Sequence, residues 1–396
     1  MKYLKKFSTP SEREFYMTNH AVPDLPYVHY IESTKDVVFS SPETDVPLYI
    51  KFYEGAAVSF SNNYEYSRDN ITWISATSST MVVANAGEVV FFRATGLVAN
   101  SSKGIGTFNI VPNCSVGGNI MSMVYGADYK GQTEITQKYQ FYRLFDSQYV
   151  EKGKGIIDAS ALALPATTLA DYCYSNMFYK CTGLVNAPAL PATTLANYCY
   201  YYMFRNCTSL VNPPALPATT LANYCYNSMF YGCTSLVNAP ALPATTLATS
   251  CYSNMFYKCT SLVNASALPA TTLASSCYYY MFYGCTSLVN APALPATALA
   301  NYCYGSMFNG CTSLVNAPAL PATTLATSCY NYMFNGCTSL SYIKALCTTT
   351  PGDSYTKKWM EGVASSGTFV KNSAATWNVV GVNGIPEGWT VETADA

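Results

Sequence analysis

Histidine and charge are scarce in this 396-residue chain: it has two histidines, 11% charged residues and a formal net charge of −1. Without a basic stripe the chain cannot neutralise a run of phosphates, which argues against nucleic acid as a partner. Both histidines, His20 and His29, fall near the start. A nucleophile–histidine site would therefore have to draw on parts that most of the sequence does not contain, and the pair reads as surface or partner-contact residues. No apolar run approaches the ~18 residues of a membrane span. The opening MKYLKKFSTPSEREFYM carries basic charge without the apolar segment of a secretory signal. Metal-ligand spacing is also missing, since Cys173 and Cys181 stand eight apart with no histidine to complete a zinc shell. KGIGTF holds Gly104 and Gly106 but no third glycine, so it reads as a turn rather than a phosphate cradle. For Asp146, Asp158 and Asp171 the sequence reveals no pairing that would suit acid–base catalysis. The expectation is a protein that is not an enzyme, with no catalytic residue, no cofactor, no metal and no membrane insertion.

What the chain has is repetition. The motif LPAT recurs at Leu164, Leu190, Leu216, Leu242, Leu268, Leu294 and at the equivalent Leu320, a step of 26 residues without insertion or deletion. A fixed period of this length means a solenoid, in which each unit buries its apolar face against its neighbours. Fourteen of the 16 cysteines follow the same step, in one series from Cys173 to Cys329 and another from Cys181 to Cys337. Each series has seven members, so pairing within it leaves one thiol over; buried free thiols acting as small hydrophobes are favoured over a disulfide framework.

Within TTLADYCYSNMFYKC, a wheel of 100° per residue puts Leu169, Ala170, Cys173, Tyr174, Met177, Phe178 and Cys181 on one half. Asp171, Tyr172, Ser175, Asn176, Tyr179 and Lys180 fill the other, which predicts an amphipathic helix of about four turns capped by Thr167 or Thr168. TGLVNAPAL, at 182–190, is short and proline-broken and reads as an extended strand. Strands stack at ~4.8 Å and helices at ~8–10 Å, so a stack of such units should curve into a horseshoe with helices outside.

MFYGCTSLVNAPALPATTLA resembles the BspA-type leucine-rich repeats of surface proteins of gut anaerobes, over roughly residues 141–347. The fold class this implies is an α/β solenoid, a leucine-rich-repeat horseshoe of seven 26-residue repeats, each a short strand plus a helix. The sequence departs from the family pattern in its repeat length and in placing Cys, as at Cys199, where Ile is usual. FYRLFDSQYV, 141–150, reads as a degenerate first unit, SYTKKWMEGV as a closing helix, and GTFVKNSAATWNVVGVNGIPEGWTV as a terminal hairpin or pair of strands.

The expected organisation is an anchor segment at 1–45, a β-sandwich domain at 46–112, a linker and N-terminal cap at 113–163, the solenoid at 164–346 and a C-terminal cap at 347–396. The sandwich rests on runs such as LYIKFY, AVSFS, STMVV and EVVFFRAT between polar turns, with YEYSRDNITWIS as a hairpin that packs Trp73 inward. TPSE at Thr9–Glu12 is a capping box, which predicts a short helix from Pro10 to about Thr18. KYLKKFSTPSEREFY and LPYVHYIESTKDVVF resemble the starts of virion structural proteins from phages of gut bacteria, over about 40 residues. That resemblance implies docking to other virion proteins through residues 1–45.

On the exposed half of the wheel the repeats sample mainly Tyr, Ser, Asn, Gly and Thr, although a solvated helix favours Glu, Lys, Gln, Arg and Ala. Tyr, Ser, Asn and Gly form the alphabet of antibody paratopes. The candidate ligand-binding residues are Tyr172, Tyr179, Tyr198, Tyr201, Tyr202, Tyr224, Tyr231, Tyr257, Tyr279, Tyr280, Tyr283, Tyr302 and Tyr332. Equally compatible is drift in a duplicated array whose tyrosines only cover neighbouring units. Asn186, Asn212, Asn238, Asn264, Asn290 and Asn316 suit an internal hydrogen-bonded ladder better than a ligand site. The functional expectation is a recognition or adhesion protein contacting a host-surface glycan or protein, as a phage virion appendage or decoration protein. A bacterial cell-surface adhesin and a purely structural particle protein are the alternatives, and a homo-oligomer is left open. Counting free thiols in denatured, unreduced protein tests the cysteine reading: all sixteen should react, and a low count overturns it.

Overall fold

The computed structural model describes residues 28–30, 37–39, 43–110, 113–147 and 155–395. The helix expected from Pro10 to about Thr18 lies outside them, as does most of the anchor segment; within it β1 (Val28–Tyr30) and β2 (Val37–Phe39) pair antiparallel. Then follow β3 (Tyr49–Phe52), β4 (Ala56–Phe60), β5 (Tyr64–Ser67), β6 (Ile74–Ala76), β7 (Val82–Ala84), β8 (Val89–Arg93), β9 (Phe108–Ile110), β10 (Cys114–Asn119), α1 (Ser122–Tyr125) and β11 (Ile156–Ala163). They form a six-stranded sheet, β11-β10-β3-β8-β5-β6, and a three-stranded one, β7-β4-β9. Alternating burial along these strands gives each sheet one apolar face. The two faces meet where Phe92 of β8 lies 5.1 Å from Phe108 of β9.

The hairpin β5–β6 forms as expected, but Trp73 does not pack inward. It precedes the edge strand β6, where Ile74 is exposed, and lies half-buried under the Arg93 guanidinium at 4.0 Å. On the other side of the sheet β10 pairs in parallel with β11. Asp158 of β11 then bridges Asn186 of the first coil, so the sheet runs directly into the repeats.

The expected helices of the repeats are absent. Residues 171–180 and their equivalents form a ribbon of tight turns, and α1 is the one α-helix among the described residues. Two sets of backbone hydrogen bonds build the ribbon. Cys173, Ser175 and Met177 donate three residues back, to Ala170, Tyr172 and Tyr174, at 3.1–3.2 Å. Tyr174, Asn176 and Phe178 donate to the next coil, to Cys199, Tyr201 and Met203, at 2.8–3.0 Å. An α-helix would satisfy every donor internally; here half of them cross, which holds successive coils one hydrogen bond apart.

A tight turn repeated every four residues needs a left-handed residue at each step. Tyr172, Asn176 and Lys180 have φ of 59°, 56° and 59°, and the pattern recurs through Ser328 and Tyr332 to Gly336. Burial also has period four: Cys173 and Tyr174, then Met177 and Phe178, then Cys181 point inward. Over eleven residues a period of four and one of 3.6 drift apart by only about a third of a turn, so the wheel placed Cys173, Tyr174, Met177, Phe178 and Cys181 inside correctly, although Ser175, expected outside, is buried, Leu169 and Ala170 are half-buried, and the secondary structure was wrong. The composition carried the correction. Asn, Gly and Ser tolerate left-handed backbone or avoid helix interiors, whereas Glu, Lys and Ala do neither.

The remaining sides of each coil also stack at strand spacing. Parallel bridges join Asn186 to Asn212, Asn238 to Asn264, Asn264 to Asn290 and Asn290 to Asn316, and others join Thr220, Thr246 and Thr272. Hydrogen bonds therefore set the separation on the ribbon side and the bridge side alike, and the unequal spacing that predicted a horseshoe does not exist. Inside, Leu184, Met177, Phe178, Tyr174 and the two cysteines are at most 1% exposed. Their successors lie directly on them, as in the parallel rings of Phe204 and Phe230 at 5.8 Å.

Both ends continue the same geometry. Phe141 and Phe145 donate to Cys173 and Met177 as a preceding ribbon, which agrees with a degenerate first unit. The expected closing helix is again a ribbon, in which Phe334 donates to Trp359 and the fully buried Trp359 covers Tyr330 at 6.0 Å. β12 (Tyr342–Ala345), β13 (Thr368–Asn372) and β14 (Thr390–Ala394) pair in parallel, a pair of strands in place of a hairpin.

Ser276, at φ 55° with no side-chain hydrogen bond, tests the ribbon. Ser276→Gly should raise stability by about 0.5–1 kcal/mol as left-handed strain is relieved, whereas in a helix it would cost about 0.5 kcal/mol. Urea melts that show a loss would contradict the ribbon.

Candidate functional site

Each ribbon turns the pairs equivalent to 171–172 and 179–180 largely outward, whereas the pair equivalent to 175–176 is mixed, with Ser175, Asn227, Ser228, Ser253 and Ser306 buried; the free positions of successive coils become columns along one face. The candidate tyrosines lie on these columns; most are half-buried, and Tyr302 is 43% exposed. Their ring faces are largely spent on one another. Tyr139, Tyr172, Tyr198 and Tyr224 stack at 4.6, 4.4 and 4.5 Å. Tyr231, Tyr257 and Tyr283 stack at 4.4 and 4.5 Å on the other edge.

Between the two ladders, Tyr198 touches Tyr201 at 5.6 Å, and Tyr201 lies on Tyr202 at 3.8 Å. The Arg205 guanidinium then sits 4.4 Å from the Tyr202 ring and 4.2 Å from that of Tyr231. At the far end Tyr283 meets Tyr280 at 5.5 Å, Tyr280 meets Tyr279 at 4.2 Å, and Tyr279 meets Tyr302 at 6.1 Å. Eleven of the thirteen candidates thus belong to one aromatic band, joined in the middle by Arg205. Tyr179 and Tyr332 stand outside it, Tyr179 below the Lys180 ammonium at 5.4 Å. Burial and the neighbouring phenol push the Tyr201 and Tyr279 hydroxyls well above the ordinary tyrosine range, so the band is neutral at ordinary pH apart from its cations.

Sequence reasoning passed over Arg205, which looked like one stray substitution among neutral residues. Its register, one coil before Tyr231 in the same column, was the available signal. Tyrosine also costs something here. Tyr172, Tyr198, Tyr202, Tyr224, Tyr280, Tyr302 and Tyr332 all have φ between 56° and 59°, a conformation that costs an L-residue about 1–2 kcal/mol and that glycine or asparagine would adopt more readily. Left-handed backbone accounts for the Asn, Gly and Ser of this face. It does not account for tyrosine, whose cost the stacking of the rings offsets in part.

On the bridge side, Asn212 donates to Asn186 at 2.6 Å and Asn264 to Asn238 at 2.7 Å, two separate rungs of the ladder expected through all six residues. The exposed valines from Val185 to Val315 accompany it. All sixteen cysteines are free and buried. The second series has a defined role: Cys207, Cys233 and Cys259 donate their thiols to the carbonyls of Phe178, Phe204 and Phe230 in the preceding coil, at 3.0–3.2 Å.

A cleft of about 170 Å³ near the N-terminal sheet is lined by Asp45, Trp73, Arg93, Tyr129 and Lys130 among others. Its arginine is already held by Glu65 at 2.6 Å. No cluster of three or more His, Cys, Asp or Glu side chains that could hold a metal occurs among the described residues, and no described helix is long and apolar enough to cross a membrane.

The repeat region matches the family model described as "BspA type Leucine rich repeat region", in six copies over residues 162–289 and 249–356. The repeats are therefore BspA-like leucine-rich repeats, and the family model counts six of them, one fewer than the seven expected from the LPAT step. No curated protein and no solved structure matches the chain.

Burial pushes Cys173 and Cys181 up to about 12 from the ordinary thiol value of 9.0. Unfolded thiols ionise first, so the folded state is favoured fully below about pH 9 and loses stability as pH rises towards 12. Each such thiol contributes about 1.4 kcal/mol per pH unit in that window. Thermal melts should show a steep fall in midpoint above pH 9, and a flat profile would contradict the burial of free thiols.

Proposed function

We propose that this is a non-enzymatic recognition and adhesion protein, which uses the tyrosine face of its repeat solenoid to contact a glycan or protein on a host surface. BspA-type leucine-rich-repeat regions commonly mediate surface adhesion and protein binding. The observation that carries the reading is tyrosine at left-handed positions such as Tyr202 and Tyr280. Folding alone favours smaller residues there, so tyrosine at these positions supports a contact surface. Rigid, half-buried phenols lose little entropy on binding and present both an apolar edge and a hydroxyl.

For location, the reading is a phage virion appendage or decoration protein that docks to other virion proteins through residues 1–45. It rests on the resemblance of the N-terminal segment, most of which lies outside the described residues. A bacterial cell-surface adhesin is the second reading, favoured by the BspA-like repeats themselves. Neither reading requires a cofactor or nucleic acid.

Replacing Tyr201, Tyr202, Tyr279 and Tyr280 together by Ser should weaken binding to host cells or a glycan array by about tenfold or more, with cooperative melting retained. Unchanged binding would dispose of the tyrosine face. Deleting residues 1–40 should remove the protein from purified particles without unfolding the solenoid, whereas unchanged particle content sinks the virion reading.

A further inference from the structure

Stacked coils penalise charge of either sign, because identical residues recur one strand spacing apart. A single charge flanked by neutral neighbours escapes that penalty. From residue 172 to 352 the chain has four cations, Lys180, Arg205, Lys258 and Lys344, and not one Asp or Glu. The rest of the chain holds the remaining 17 cations and all 22 carboxylates. Repulsion between coils explains why charges are few; it does not explain why every one that survives is positive.

Three of the four lie together. Lys180 donates its backbone N–H to Arg205 in the next coil at 2.9 Å. Lys258 stands two coils beyond Arg205, in the column of Lys180, with Gly232 and Gly284 as column neighbours. The three span three steps, about 14 Å at ~4.8 Å each. Each cation lies over a tyrosine ring: Lys180 over Tyr179, Lys258 over Tyr257, and Arg205 between Tyr202 and Tyr231. Arg205 Nε is buried and has no hydrogen-bond partner. None of the three has an ion-pair partner among the described residues; the nearest acid in sequence, Asp171, is held by Lys138 at 2.9 Å.

We propose that Lys180, Arg205 and Lys258, with the tyrosines beneath them, form a binding track for a carboxylated polysaccharide. This rests on the recognition reading and specifies its ligand class. A planar guanidinium packed against two phenol rings offers its N–H fork to a planar carboxylate. The ammonium groups take further carboxylates along the polymer, and the tyrosine edges and hydroxyls meet the sugar rings. From residue 172 to 352 the coils carry no acid, and Asp171 at the edge of the face is held by Lys138, so a polyanion lies along these coils with little opposition, and a periodic surface suits a periodic ligand.

The test uses the full chain with sodium polygalacturonate, its fully methyl-esterified form and poly-L-glutamate as probes. Polygalacturonate should bind, more weakly at about 500 mM than at about 50 mM salt, and the methyl ester should not. K180Q/R205Q/K258Q should weaken binding by about tenfold or more, while K103Q/K130Q/K357Q, with the same loss of charge elsewhere, should stay within about twofold. Should the first triple variant unfold, R205K, which keeps the charge but loses the fork, should still weaken binding. The proposal is overturned if polygalacturonate does not bind, if the ester binds equally, if both triple variants lose equally, or if poly-L-glutamate binds more tightly. Failure with polygalacturonate while the four-tyrosine variant still loses host-cell binding removes this ligand class and leaves the recognition reading standing.

Discussion

Every second backbone N–H of the turn ribbon donates to a carbonyl of the next coil, and the rest of the molecule follows from that bond. It fixes the separation of coils on the ribbon side at hydrogen-bond distance, as the Asn and Thr bridges do elsewhere on the circumference. With equal spacing all round, identical side chains lie directly over one another. The interior becomes a set of single-residue columns of Tyr, Met, Phe, Cys and Leu, each excluding water from the next. A residue inside is chosen for how it packs on a copy of itself. Parallel tyrosine and phenylalanine rings and thiols that cap a neighbouring carbonyl meet that requirement.

The same spacing governs the outside. Two like charges in adjacent coils would sit close to the distance at which repulsion costs about 1 kcal/mol even in water, repeated at every step. Neutral polar residues avoid this, and asparagine turns the spacing to advantage by bonding to its own copy. Left-handed turns then select among the neutral residues, drawing Gly into the column of Gly232, Gly284, Gly310 and Gly336. Low charge, few helix formers and abundant Asn and Gly are thus consequences of architecture. Tyrosine and the one-sided survival of cations are the residue of the composition that architecture leaves over, and that is where function is argued.

The step of 26, the inward set from Cys173 to Cys181 and the capped ends could be read from the sequence because packing repeats with the period of the chain. The ribbon could have been read as well, from the αL-tolerant residues four apart, but a wheel over eleven positions separates 3.6 from 4 poorly. The aromatic band could not. Tyr198, Tyr202, Arg205 and Tyr231 come together only through the lateral register of two successive coils, and Trp73 meets Arg93 only because β6 ends its sheet.

By itself, then, the sequence determined that this protein is a stack of near-identical units, and which apolar side chains form the centre of each, because hydrophobic periodicity records burial; the buried polar Ser175 escaped it. The tertiary structure alone decided how the backbone satisfies its hydrogen bonds, within a unit or across to the next. That choice depends on whether a neighbouring coil lies at hydrogen-bond distance, and no single unit carries that information. It converted expected helices into ribbons and scattered tyrosines into a continuous face.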